Sequence, residues 1–384
     1  MESKNIVILG GGVGGLVTAR QLAGRLRGKH RIILVDRRDR HLFSPAFLWV
    51  MMGWRRPEET GRNLSGLARY GVEFMQAQVE GIDTAERAVR TSAGKVPFDH
   101  LVVSLGADVV PEALPGLAEI AHTPYTLAGA EKLRDALTGF RGGRVVVMVS
   151  SVPFKCPAAP YETAFLLEAF FRERGIRGKV EMEIITPEPQ PMPVAGPVMG
   201  EAVKGILAAR GIGYRPNTPV SAVNAAEKTL VLKDGGSAGF DLLVAVPPHR
   251  PPAVVRDSGL AGETGWVPVD RFTLETKQEG IFAIGDNTTI TLSNGKPLPK
   301  AGVFAHAEAV TVAETIAARL EGRPSPRRFD GKGYCWVEIG DGRAGFAGGD
   351  FYAEPNPVLR LRPPGRMWRM GKVLFEKWWM WKWI

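Results

Sequence analysis

The sequence predicts an α/β chain built from two Rossmann-like dinucleotide-binding units, the second inserted in the first, with a separate segment at the C-terminal end. Three observations predict this. A strand–glycine loop–helix–strand run opens the chain, a second strand–loop–helix–strand cycle begins near residue 144, and the chain returns to a strand and a long helix near residues 280–320. At 384 residues the chain is long enough for two or three cores, and its 46 glycines and 29 prolines suit a fold with many tight turns and close backbone approaches.

Taken in order, Asn5–Leu9 is a short apolar strand, Val17–Leu26 a helix and Arg31–Asp36 a second strand, together a βαβ unit of about 30 residues. Further strands are expected at Phe74–Val79, Ala88–Thr91 and Leu101–Ser104. The second cycle has strands at Arg144–Val149 and Val180–Ile185 around a helix near Tyr161–Arg174. It closes with the strand Leu242–Val246 and the proline-rich Pro247–Pro252. Gly280–Asp286 reads as a strand, and Ala301–Leu320 as a long helix.

Composition narrows the function classes. Two cysteines are too few for a disulfide scaffold. The first apolar run stops at once in glycines, unlike a signal peptide, and no apolar stretch is long enough to span a bilayer. The net charge of +9 favours an anionic partner. Its location decides which kind. From Arg366 to the end the chain carries Arg366, Arg369, Lys372, Lys377 and Lys382 against Glu376 alone, with five of the nine tryptophans. Tryptophan mixed with lysine and arginine suits the headgroup boundary of a membrane. A dimer interface or a capping helix would use the same residues. Nucleic-acid binding is not expected, because no recognised binding module is present. Homo-oligomerisation is left open.

The glycine loop Gly10-Gly11-Gly12-Val13-Gly14-Gly15 holds the G-x-G-x-x-G spacing between a strand and a helix. Gly10 allows the turn, Gly12 lets a pyrophosphate approach, and Gly15 permits close helix–sheet packing, while the helix N-terminus supplies free N–H groups. Asp36, 21 residues after Gly15 and followed by Arg37, ends the second strand where a carboxylate accepts ribose hydroxyls. Gly285-Asp286, after a strand and before a long helix, resembles the second FAD motif of flavoproteins with two dinucleotide folds. Ser104-Leu105-Gly106-Ala107 stands approximately where those proteins have A-T-G. FAD is therefore the expected dinucleotide. The division expected is 1–110 with 270–323 for the FAD-binding unit, 111–269 for a degenerate nicotinamide-type unit, and 324–384 for the terminal segment.

After the strand Arg144–Val149 a nicotinamide-binding unit needs a second glycine loop. Here three prolines, Lys155 and Cys156 stand in its place, which argues against NAD(P)H. Two isolated cysteines are usually buried apolar fillers. Cys156 differs in sitting beside Lys155, a cation expected to lower its pKa. With Cys335 it could cycle between disulfide and thiolates beside a flavin.

On these residues the chain resembles the sulfide:quinone oxidoreductases, relatives of the flavocytochrome c sulfide dehydrogenase flavoprotein and the type II NADH dehydrogenases, with the glutathione-reductase-like FAD/NAD(P) fold. The likeness covers nearly the whole chain. Its more specific parts are Ser44-Pro45-Ala46-Phe47, Met52-Gly53-Trp54-Arg55, the loop from Cys156 to Glu162, Pro299-Lys300-Ala301-Gly302, Cys335, Phe375-Glu376-Lys377 and Trp381-Lys382. The resemblance implies that Cys156 and Cys335 flank the flavin and carry sulfur, that Glu162 acts as general base, and that Lys300 meets the flavin pyrimidine edge. It places the quinone head between Tyr334 and Trp379 with Lys377 near its oxygen. The chain departs from many members in having Leu42 and Phe43, and no cysteine in Glu119–Leu127, so FAD is expected to be bound non-covalently. The activity implied is oxidation of sulfide with electrons passed through FAD to quinone, on a protein attached peripherally to one face of the cell membrane. A sulfide:cytochrome c oxidoreductase, a type II NADH:quinone dehydrogenase and a non-catalytic membrane flavoprotein are the alternatives.

Overall fold

The computed structural model describes residues 2–324 and 327–384; Ser325 and Pro326, at the head of the expected terminal segment, lie outside the described residues. The first unit contains β1 (Asn5–Leu9), α1 (Val13–Leu26), β2 (Arg31–Asp36), α2 (Phe47–Met51), β3 (Val72–Gln76) and β4 (His100–Val103). The second contains α3 (Leu127–Gly139), β5 (Gly143–Val149), α4 (Ala159–Glu173), β6 (Val180–Ile185), α5 (Pro197–Ala209), β7 (Ile212–Arg215) and β8 (Leu242–Val246). The chain then supplies β9 (Ile281–Ala283) and α6 (Gly302–Leu320), and ends in β10 (Lys332–Gly340), β11 (Arg343–Asp350), β12 (Val358–Gly365) and α7 (Arg366–Trp383).

Five strands form the first sheet in the order β9–β4–β1–β2–β3, all parallel, so residues 281–283 complete a sheet begun by residues 5–103. Ile6, Val7, Ile8 and Leu9 are fully buried because helices or loops cover both faces, and a continuous apolar run is the pattern such a strand needs. On one face α1 and α6 pack together; Leu16, Leu22, Phe282, Val312 and Ile316 share one core with Trp379 and Trp383 of α7. The second parallel sheet runs β7–β6–β5–β8. The terminal strands make a three-stranded antiparallel sheet whose first strand lies against α4.

The structure changes several expected boundaries. The strand expected at Phe74–Val79 is two: β3 stops at Gln76, and an antiparallel three-stranded meander starts at Val79. The first helix starts at Val13, since the glycines themselves form its opening turn. Helices α3 and α5 occupy stretches that carried no expectation.

Candidate functional site

The glycine loop leaves β1 at Gly10, whose φ is +98°. A Cβ on Gly10 would lie 2.3 Å from the Ser104 carbonyl oxygen, and one on Gly15 only 1.8 Å from the Gly10 carbonyl oxygen, so neither position accepts a side chain. Gly12 is different. Nothing lies within 4 Å of where its Cβ would be, and its backbone faces open space. It caps α1 without a side-chain hydrogen bond, and no acidic residue stands in the first turn. The first-turn N–H groups of Val13, Gly14 and Gly15 therefore have no intrahelical acceptor, and the positive end of the helix is left open to an anion. Asp36 accepts from Gly11 N at 2.5 Å and from Arg38 N at 2.8 Å, which ties the end of β2 to the loop. Arg37, Ser44 and Pro45 are exposed nearby in sequence to these elements.

A second helix end joins the first. Gly302 opens α6 behind Ala301, again with no side-chain cap or acid, and its Cβ position lies 3.6 Å from Val13. Gly285, at φ +74°, donates its N–H to Glu308 at 2.7 Å and precedes Asp286 in a tight turn. Asn287 accepts from Gly106 N at 3.1 Å and donates to the Val103 carbonyl, locking that turn to the end of β4. Sequence reasoning missed both supports. Burial pushes the Glu308 carboxyl up to about 7, against the pull of the Gly285 N–H. Two open helix N-termini, an open glycine backbone and a strand-end acid suit the pyrophosphate and ribose of a dinucleotide. The residues present fit FAD.

Cys156 adjoins this second helix end. Its N–H donates to the Lys300 carbonyl at 2.7 Å, so the cysteine loop is stitched directly to the segment that leads into α6. Its φ is +55°, a left-handed conformation that a non-glycine residue adopts under constraint. Lys300 donates its ammonium to the Thr288 carbonyl at 2.7 Å and lies 3.5 Å from the centre of a Trp266 ring; burial pulls it down to about 8.

The Cys156 thiol is not made acidic by its neighbour Lys155. The Lys155 ammonium donates to the Ala107 carbonyl at 3.2 Å. Burial pushes the Cys156 thiol up to about 12, and Glu162 adds to the rise. The cation that opposes this is Lys372, from α7 at the far end of the chain, aided by the Ala159 N–H at the start of α4. Cys335 is also pushed up, first by burial, then by Cys156 and Glu162, with Lys372 again opposing. By surface area Cys335 is exposed, whereas Cys156 is partly buried. The two cysteines, Glu162 and Lys372 thus form one electrostatic group.

Glu162 and Lys372 are both buried and 2.8 Å apart. The same Glu162 oxygen accepts the Glu338 N–H at 2.9 Å. Glu338 accepts from the Trp49 indole at 2.6 Å and lies 3.5 Å from both Lys372 and Arg369. Burial alone would discharge Lys372, but the two carboxylates override it and hold the ammonium well above its ordinary range.

The expected quinone pair is not formed. Trp379 is 2% exposed and donates its indole N–H to His41 at 3.1 Å, beneath Phe43 and His306. It is committed to the core next to the glycine loop. Tyr334 is half exposed and meets Trp336 at 5.5 Å and Phe346 at 5.9 Å, and Trp336 meets Phe375 at 5.2 Å. Phe375, one turn before Trp379, and Trp368, stacked on Phe346 at 4.6 Å, are therefore the α7 aromatics beside the Tyr334 cluster. Lys377 is exposed in a different groove, and Lys372 is the α7 lysine whose charge acts on the cysteines. A signal was available. Lys372, Glu376, Trp379, Met380 and Trp383 recur at helical spacing and form the buried face of α7.

The model of the pyridine nucleotide-disulphide oxidoreductase family matches residues 4–309. The chain belongs to this family. Among curated members it is 29% identical over 400 residues to the sulfide-quinone reductase of Aquifex aeolicus, covering 99% of this chain and 91% of that one. It is 26% identical over 368 residues to the mitochondrial sulfide:quinone oxidoreductase of Mus musculus, covering 91% and 79%. The X-ray structure of the Aquifex aeolicus sulfide:quinone oxidoreductase superimposes with a TM-score of 0.89 at 27% identity, over 99% of this chain and 91% of that one. Within this family of oxidoreductases the chain has its paired dinucleotide-type sheets, with a proline-rich cysteine loop where the second sheet's glycine loop is expected.

Proposed function

We propose that this protein is an FAD-dependent sulfide:quinone oxidoreductase. The observation that carries the reading is the single electrostatic group of Cys156, Cys335, Glu162 and Lys372 beside a cleft built for a dinucleotide. The names of the relatives at near-full coverage agree with it. Hydrosulfide attacks a disulfide or sulfur bridge between Cys156 and Cys335. One S–S bond breaks as another forms, leaving a persulfide on one cysteine and a thiolate on the other. Lys372 and the Ala159 N–H stabilise the negative sulfur that departs, and Glu162 holds Lys372 in place and takes the proton. FAD, held by Gly12, Asp36 and the first turns of α1 and α6, would supply the two-electron carrier between sulfur and quinone. On this reading the quinone head stacks against Tyr334, Trp336 and Phe375, which already pack on one another.

Attachment to a membrane surface is read from α7. Among the described residues no helix is long and apolar enough to cross a membrane. Met367, Met370, Leu374, Trp378 and Trp381 are 40–77% exposed and fall at helical spacing along one side of α7. An uncovered apolar stripe flanked by lysine and arginine is the pattern of a helix lying in the interface plane.

The test is anaerobic mixing of the holoprotein with sulfide and, separately, NADH. Sulfide is expected to bleach the flavin, and a quinone analogue to restore it. Bleaching by NADH with no response to sulfide overturns the assignment.

A further inference from the structure

Between α1, the residues around Arg62 and Arg69, and the last two turns of α7 lies an open groove of about 1250 Å³. Six lysines and arginines line it against two glutamates. One glutamate is neutralised within the protein: Glu376 is bound by Arg55 at 2.8 Å. The other, Glu59, lies 3.5 Å from Arg56 and caps its backbone N–H. Arg20, Arg62, Arg69, Lys377 and Lys382 have no carboxylate partner among the described residues. Arg20 and Arg69 share the ring of Tyr70, at 3.2 and 4.8 Å from its centre, and the buried Arg20 Nε has no hydrogen-bond acceptor. Two guanidinium groups on one ring, one with an orphan buried donor, are stabilised by an anion placed between them.

The walls say which anion. Trp378, Met380 and Trp381 line the same groove, and Trp378 and Trp381 also belong to the exposed apolar stripe of α7. A ligand with a phosphate in the groove and hydrocarbon along the stripe satisfies both features at once. A nucleic-acid backbone would leave Met367, Met370 and Leu374 in water.

We propose that this groove is a binding site for the phosphate headgroup of an anionic phospholipid, so that the protein selects negatively charged membrane surfaces. The proposal rests on the membrane-surface reading of α7 and extends it from attachment to lipid choice. Each Lys or Arg near an anionic surface contributes about 1 kcal/mol, about fivefold in affinity. Replacing Arg62, Arg69 and Lys382 by glutamine should weaken binding to anionic vesicles by about a hundredfold on that scale.

The experiment is co-sedimentation of the holoprotein, and of the R62Q/R69Q/K382Q variant, with vesicles of phosphatidylcholine alone or with phosphatidylglycerol added. Unchanged circular dichroism and flavin absorbance establish that the variant is folded. Tighter binding to the phosphatidylglycerol vesicles, lost with salt and lost in the variant while the weaker binding to phosphatidylcholine persists, supports the proposal. Equal binding to both vesicles overturns it and leaves the membrane reading standing. Binding to neither overturns both. Displacement from the vesicles by millimolar inorganic phosphate, or preference for a single-stranded oligonucleotide over phosphatidylglycerol, assigns the groove to another anion and also overturns it.

Discussion

Replacing Lys372 by methionine tests the buried charge group most directly. The side chain is 7% exposed, and its partners Glu162 and Glu338 are 3% and 1% exposed. The substitution keeps the volume but leaves two carboxylates in a low-dielectric site, one still near Arg369 and the other with only backbone support. Removing one partner from a buried pair costs about 3–5 kcal/mol. With about 2.1 cal/mol/K of unfolding entropy per residue, 384 residues give about 0.8 kcal/mol/K, so the melting temperature should fall by about 5 °C. Removing the stranded charge as well, in the E162Q/K372M pair, should recover more than half of that loss, because the two effects share one contact. Differential scanning calorimetry of the wild type, both single variants and the pair measures the coupling. Stopped-flow flavin reduction by sulfide should slow at least tenfold in K372M, since that variant lacks the cation opposing the rise of both thiols. If K372M melts with the wild type, or the pair is no more stable than K372M, the charge group does not exist as described.

C156S and C335S should each retain FAD and lose sulfide-dependent bleaching; full activity in either excludes the two-cysteine route. In the reduced protein the Cys156 thiol, raised to about 12 by burial, should alkylate slowly at neutral pH, with a rate still climbing above pH 10; a plateau near pH 8 contradicts the buried setting. G12A places a methyl group in open space, so the apoprotein should keep its melting temperature while FAD affinity drops, whereas G15A should destabilise the fold itself. His306, packed edge-on against Trp379 and Trp383, is held down to about 4 by burial, with Lys382 adding to the effect. Its depressed value means its contribution is complete above about pH 6.5 and is lost as pH falls towards 4, so acid should loosen α7 in that window; a tryptophan-fluorescence transition that is unchanged in H306Q refutes the assignment.

Much of the first unit was legible in the sequence because its signals are local. Gly10 and Gly15 are demanded by contacts within the βα turn and with the neighbouring strand, Gly12 keeps the backbone open to a ligand, and Asp36 lies one strand away. A turn that admits no side chain leaves its mark in the sequence whatever the rest of the chain does. The paired cysteines and the apolar-basic character of the tail were likewise visible as residue types.

Side-chain partners were not. Lys155 adjoins Cys156 in sequence yet donates to Ala107, while Lys372, over 200 residues away, supplies the charge that both thiols feel. Trp379 and Phe375 are one helical turn apart and equally aromatic. Only the docking of α7 decides that one seals the core beside His41 and the other meets Trp336. By itself the sequence determined where a dinucleotide backbone can approach and which sulfur atoms are available, since both depend on residue identity within a few positions. The tertiary structure alone decided the electrostatics around that sulfur. Burial and distant charges set a thiol's pKa, and the charge of Lys372 is not in place until the last helix has packed against Glu162.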